Sequence, residues 1–333
     1  MTVLLETHPQ YLAHVTGPGH PERPERLTAV LKGVEESGVG EAVVRVVPRA
    51  ATVDEVARAH SPDLVRALER FCALGGGHLD PDTAMGPDSW EAALLAAGAG
   101  IDAVERLERG EGSAAFCAVR PPGHHATPRR AMGFCLLNNV AVTAACLAER
   151  GQRVAILDWD AHHGNGTQDC FYSDGRVLYV SMHEFPLYPG TGRLEETGEG
   201  RGEGANLNIP FPAETTGDAY LSAMDQLVGP AVEAFGADWL IVSAGFDAHR
   251  DDPLTGLGLS AGDYAHLTRR ALGLAPPGRV VVFLEGGYDL AALAHSAAAT
   301  VAGLAGEDHR PEPSTSGGPG RAVVDAALRL RSG

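Results

Sequence analysis

The chain has 333 residues, 44% of them hydrophobic and 21% charged, which places it among folded globular proteins and excludes disorder along its whole length. A formal charge of −17 leaves it short of the clustered Lys and Arg that phosphate-backbone binding needs, so nucleic acid is not an expected partner. Lys32 is the single lysine, in the helical run Ala29-Val30-Leu31-Lys32-Gly33; this excludes a P-loop and a Schiff-base enzyme, which both need a lysine in a dedicated place.

In chain order, the opening Met1-Thr2-Val3-Leu4-Leu5-Glu6 becomes charged too early for a signal peptide, and no apolar run reaches membrane-spanning length. A strand over 3–6 is followed by a helical pattern over 22–36, a strand over 43–47 and helices over 62–73 and 90–109. Then come a strand over 115–119, a helix over 136–150, and strands over 154–158, 177–181 and 207–210. A helix over 218–235, a strand over 239–243, a helix over 261–272, a strand over 280–284 and a helix over 290–304 complete the series. Val280-Val281-Val282-Phe283-Leu284 is apolar throughout, as expected of a parallel strand buried on both faces. The alternation predicts one doubly wound α/β domain over 1–333, with helices on both faces of one sheet. Residues 192–205, rich in Gly and Glu, lead into a strand rather than from a strand into a helix; they read as a mobile surface loop, not a dinucleotide loop. Residues 307–320 read as a surface linker before a short helix near 322–331. Cys72, Cys117, Cys135, Cys146 and Cys170 form no Cys-x-x-Cys pair and are odd in number, which fits buried thiols in a reducing compartment; a cytoplasmic location is expected.

Ligands in open parallel sheets bind beyond the carboxyl ends of the strands, and here those ends are rich in acids and imidazoles. Asp160 and His162, two apart on an extended segment, point the same way, so both can reach one ion. Asp247, after the strand over 239–243, is the natural third ligand. One imidazole with two carboxylates suits Zn²⁺ or Fe²⁺ with a position open for water. His124 and His125 follow a stiff Pro-Pro-Gly turn, and two imidazoles beside an activated water can divide proton acceptance and donation. Asp158 and Asn165 bracket the metal segment, where each can accept a ring N–H and set a tautomer. Tyr288, after two glycines that allow close backbone approach, can donate its phenolic proton to a developing oxyanion.

The runs 120–126, 133–135, 158–168, 243–254 and 284–288, with the entry segment His20-Pro21-Glu22-Arg23-Pro24-Glu25-Arg26-Leu27, resemble those of the histone deacetylase superfamily. The form Asp158-Trp159-Asp160-Ala161-His162-His163-Gly164-Asn165-Gly166 is similar to its class II and bacterial members. The resemblance implies a three-layer αβα arginase/deacetylase fold with a central eight-stranded parallel sheet. It implies Zn²⁺ on Asp160, His162 and Asp247, His124 and His125 as the catalytic pair with Asp158 supporting His124, and Tyr288 as the carbonyl-polarising residue. Asn165 stands where class I members have Asp, which disfavours the imidazolium form of His125 and leaves open which histidine is the general base. The resemblance further implies a tunnel walled by Gly133, Phe134 and Tyr188, and Arg26 lining an exit channel for the acid product. A structural K⁺ on backbone oxygens of Asp158, Asp160, His162, Ser181 and Met182 is implied in the same way.

The implied reaction is hydrolysis of an N-acyl amine. Two-metal arginase chemistry is disfavoured, because Gly164 and His249 stand where further acids are needed. Leu254 occupies the position where polyamine-specific relatives place an acidic gatekeeper, and residues 75–87 are too short for their inserted loop. An acetylated peptide or protein is therefore the expected substrate, with a small cationic N-acyl amine such as an acetylpolyamine as the alternative and an inactive binding module as a third reading. Asp80 or Asp82 is a candidate to hold a substrate backbone N–H, and acids such as Asp251 and Asp252 are expected to rim the tunnel. Acyl length and oligomeric state are not set by these motifs.

Overall fold

The computed structural model describes residues 1–332. Ten strands are present among them: β1 (Val3–Glu6), β2 (Val43–Val46), β3 (Gly77–His78), β4 (Ala84–Met85), β5 (Ala114–Cys117), β6 (Val154–Asp158), β7 (Val177–Glu184), β8 (Asn206–Phe211), β9 (Trp239–Ala244) and β10 (Val280–Leu284). Eight form one sheet in the order β2-β1-β5-β10-β9-β6-β7-β8, and every pairing in it is parallel. These are the eight strands expected from the apolar runs. β3 and β4 make a separate antiparallel hairpin, which carries only two residues a side and no hydrophobic run to announce it.

The chain leaves β5, skips two strand positions to lay down β6, β7 and β8, then returns with β9 and β10 to fill the gap. The carboxyl ends of β5, β10, β9 and β6 therefore lie side by side although more than 100 residues separate β5 from β9. Such a reversal in strand order is where an open α/β sheet forms its ligand crevice.

The sheet is buried on both faces: β5, β6, β7, β9 and β10 are buried at every residue. Each buried Val, Leu or Ile contributes roughly 1.5–3 kcal/mol over its exposed state. Helices Ser89–Glu108 and Asn139–Glu149 pack on each other and on the central strands, and Glu25–Glu36, Ala261–Leu272 and Leu290–Ala305 form a second packed group.

The differences from expectation are local. β5 stops at Cys117, because Ala118 and Val119 leave the sheet toward Arg120. β7 runs on to Glu184 because pairing with β8 continues to Glu184↔Phe211. The helix expected over 218–235 is Gly217–Ala223, a π-helical turn Met224–Val228 and Gly229–Phe235. Asn165–Phe171 is helical, though its two-turn length gave no readable period. The loop before β8 is tied down: Glu196 Oε2 accepts from Gln168 Nε2 at 2.7 Å and from the Gly192 N–H at 3.2 Å. Residues 307–320 have no regular structure but are stitched to the body. Glu312 accepts from His249 Nε2 (2.7 Å), the Ala261 N–H (3.0 Å) and Arg250 (3.3 Å), and Thr315 bonds Asp263. Arg321–Ser332 closes the described chain as a helix against β8.

Candidate active site

Four strand ends supply the site. Beyond β6 the chain does not stay extended as expected but bends at Asp160, Ala161 and His162, and beyond β9 a turn at Asp247 and Ala248 presents Asp247. The ligand atoms of Asp160, His162 and Asp247 lie within 4.8 Å of one another, and all three residues are buried. His162 Nδ1 is 3.2 Å from Asp160 Oδ1 and 3.0 Å from Asp247 Oδ2. The other carboxylate oxygens are held from behind, Asp160 Oδ2 by the Gly286 N–H and Asp247 Oδ1 by the Ala161 N–H, each at 2.8 Å. The lone pairs that remain converge on one point, as a divalent first-row cation requires. Burial opposes a charge on His162, yet its bonds to Asp160 and Asp247 prevail and drive the imidazole far above its usual range. The centre thus demands positive charge.

Glycine makes this approach possible. A Cβ at Gly245 would lie 2.0 Å from Asp160 Oδ2, and one at Gly286 would lie 2.2 Å from Asp247 Oδ2.

The two histidines after β5 lie 4.0 Å apart between ring centroids, tilted by 42° to one another. His124 Nδ1 donates to Asp158 Oδ2 at 3.1 Å, and the Tyr179 hydroxyl donates to the same oxygen at 3.1 Å. His125 Nδ1 donates to Asn165 Oδ1 at 2.9 Å, which leaves Nε2 as the lone-pair nitrogen. Their electrostatics diverge. Burial disfavours charge on His124, but the Asp160 and Asp158 carboxylates outweigh it and raise the imidazole to about 10. Burial, then the charges on His124 and His162, hold His125 well below the usual range. Neutral Asn165 cannot reverse that.

His125, His162, Tyr288, Gly133, Phe134, Tyr188 and Leu254 line one cavity of about 240 Å³ together with Asp82 and Leu187. Phe134 and Tyr288 meet edge to face at 5.8 Å, as do His125 and Tyr188 at 5.1 Å. Phe134 adopts φ 67°, a left-handed backbone that costs a non-glycine residue about 1–2 kcal/mol. Of the two acids considered near the mouth, Asp80 turns back to accept the Asp82 and Thr83 N–H groups, and Asp82 reaches the cavity. Asp251 is exposed, whereas Asp252 is 6% exposed and turned inward rather than on a rim.

Arg26 is fully buried. Its Nε donates to Gly287 O at 2.6 Å, Nη2 to Glu285 O at 2.5 Å and Nη1 to Glu22 at 3.1 Å, while its guanidinium lies 5.0 Å from the Tyr288 ring centroid. Arg120 pairs with both oxygens of the same Glu22 at 2.5 and 2.7 Å. Asp158 and Ser181 pair in register across β6 and β7, and the Met182 carbonyl accepts from the Tyr220 hydroxyl at 3.3 Å.

Sequence reasoning passed over Glu285. Its Oε2 accepts the Gly123 and His124 N–H groups at 2.6 and 3.2 Å, and Ser243 donates to Oε1 at 3.2 Å, so one buried carboxylate anchors the histidine turn. Burial is the main cause that lifts its carboxyl to about 7. Its place in Glu285-Gly286-Gly287-Tyr288 was visible, but its partners, in the turn after β5 and on β9, are distant in sequence.

An eight-stranded parallel sheet whose central strand ends gather two carboxylates and three imidazoles beside one cavity defines the arginase/deacetylase class of fold. The chain belongs to the histone deacetylase family: the histone deacetylase domain matches residues 20–304. It is 44% identical to a "Probable deacetylase" of Archaeoglobus fulgidus, over 90% of this chain and 86% of that protein. It is 42% identical to a "Probable deacetylase" of Methanothermobacter thermautotrophicus, over 90% of each. It is 38% identical to histone deacetylase HDA1 of Saccharomyces cerevisiae, over 94% of this chain but only 49% of that protein. The crystal structure of the HDA15 HD domain superposes with a TM-score of 0.91 at 36% identity, covering 99% of this chain and 94% of that one.

Proposed function

We propose that the protein is a zinc-dependent deacylase that removes an acetyl group from acyl-lysine in peptides or proteins, with Fe²⁺ as the alternative ion and K⁺ on the backbone oxygens near Asp158 and Ser181. The observation that carries this reading is a single tunnel lined by His162 of the three-ligand centre, by His125 and by Tyr288. Bound by Asp160, His162 and Asp247, the metal supplies Lewis acidity toward the acyl carbonyl and toward water.

The chain's own residues do the rest. Phe134 and Tyr188 clasp the linear alkyl chain and exclude water from the tunnel. His125, neutral with Nε2 free, takes the proton of the attacking water. His124, held cationic by Asp158 and Asp160, stabilises negative charge nearby. Tyr288 donates a hydrogen bond to the oxyanion, and the His125 imidazolium returns its proton to the departing amine. Asp82 at the mouth accepts a substrate backbone N–H. The same carboxylate is what favours the second reading, since it would also attract the distal ammonium of an acetylpolyamine.

Steady-state kinetics on a matched acetyl-lysine peptide, acetylspermidine and acetylputrescine, with zinc and potassium defined, test the choice. The peptide is expected to have the highest kcat/KM. Preference for either polyamine by tenfold or more would move the assignment to the second reading, and no turnover of any of the three with zinc bound would favour an inactive binding module.

A further inference from the structure

We propose that Asp252 is a positioning residue for Tyr288, acting through the Gly287–Tyr288 peptide and tying it to the tunnel rim at Leu254. The proposal rests on the role given to Tyr288 above. Tyr288 follows two glycines, so the backbone that aims its ring has little stiffness of its own. That peptide is gripped at both ends instead. Its carbonyl oxygen accepts from Arg26 Nε at 2.6 Å, and its N–H donates to Asp252 Oδ2 at 2.7 Å. The guanidinium on the carbonyl and the carboxyl oxygen on the N–H complement the peptide dipole at both poles, and a charge-assisted bond such as that from Arg26 is about twice as strong as a neutral one.

The second oxygen of the same carboxylate reaches the rim. Asp252 Oδ1 accepts the Leu254 N–H at 2.9 Å, and Leu254 lines the tunnel. The turn carrying Asp252 is itself braced: the Asp252 N–H donates to His249 O at 2.9 Å, and His249 Nε2 is held by Glu312 at 2.7 Å. Thr255 Oγ1 donates to Asp247 O at 2.5 Å. One hydrogen-bonded piece thus joins the metal-ligand candidate, the rim and the ring. A chain gripping the rim meets a tyrosine already aimed, since a displacement of about 1 Å at such a group costs on the order of 100-fold in rate.

The test is a cycle of D252N, Y288F and the double variant on an acetyl-lysine peptide. Asn offers one acceptor where two N–H groups need one each. D252N is expected to lower kcat by about 10- to 100-fold, with KM within about threefold and with metal content and thermal midpoint close to wild type. Y288F is expected to lose about 100- to 1,000-fold. In the Y288F background, D252N is expected to cost less than about twofold more, because the ring it aims no longer carries the hydroxyl. Hydrogen exchange at the Tyr288 amide is expected to speed up in D252N. Equal losses in both backgrounds would mark a merely structural carboxylate, and wild-type kcat in D252N beside an impaired Y288F would overturn this proposal while leaving Tyr288 its role. Full turnover by Y288F would remove both. If D252N does not fold, Asp252→Ser, smaller and still able to accept one N–H, carries the same cycle.

Discussion

Glu6 closes β1 with both carboxylate oxygens buried and without a hydrogen-bond partner. Asp102, Arg106, Glu111, Cys117 and Tyr11 surround it, with Arg106 Nε at 3.9 Å as the nearest positive charge. Burial first, then repulsion from Asp102, lifts the carboxyl to about 8 despite Arg106. Below the usual carboxylate range, folded and unfolded chains both hold the proton, and Glu6 adds no pH dependence. Between that range and pH 8 only the folded chain holds it, so stability falls as pH rises, and above pH 8 the full penalty applies. E6Q removes the titration. The stability difference between E6Q and wild type is expected to shift in favour of E6Q by on the order of 4 kcal/mol from pH 4 to pH 9. Urea unfolding of both proteins at the two pH values measures it, and a constant difference would mean that Glu6 is ionised inside the fold. Sequence showed Glu6 only as the end of an apolar run; that its carboxylate would be buried without a partner depends on what packs over β1.

Elements decide how close the acids come. The β9 and β10 exits are each followed by a glycine whose missing side chain makes room for Asp160 and Asp247, at Gly245 and Gly286. Gly286→Ala would place a methyl 2.2 Å from Asp247 Oδ2 and 2.7 Å from Asp160 Oδ2. It is expected to lower the affinity of the centre for Zn²⁺ by at least about tenfold, the scale on which disturbed ligand orientation acts. Metal content after dialysis against a graded chelator checks this, and wild-type retention would show that the loop yields without moving the ligands. At this scale the strands were legible because each is a short, locally apolar run bounded by turn residues. Helix ends and the break at Met224–Val228 were not, since caps and π-turns answer to neighbours the local pattern does not record.

For the whole molecule, the charge of −17 becomes a property of the tunnel mouth as well as of solubility. Asp82 borders the cavity, and Asp251, close by in the chain to Leu254, keeps 63% of its side chain exposed. A cationic acetyl-lysine peptide is expected to show KM rising at least about threefold between roughly 20 and 300 mM NaCl, as the screening length shortens, while a net-neutral peptide changes little. Equal salt responses would confine the charge to solubility.

The amino-acid sequence by itself determined the eight sheet strands, the acids and imidazoles that stand at their ends and the family to which the chain belongs. Apolar runs and short motifs are local, and physics reads them locally. Only the tertiary structure decided which ends became neighbours: β9 and β10 enter the gap between β5 and β6, so Glu285 comes to hold the histidine turn, Arg26 and Asp252 grip one peptide from opposite sides, and burial beside a charged His124 leaves His125 uncharged. The contacts of Glu285, Arg26 and Asp252 join residues tens to hundreds of positions apart, and their strength comes from burial and shared hydrogen bonds that exist only once the sheet has closed around them.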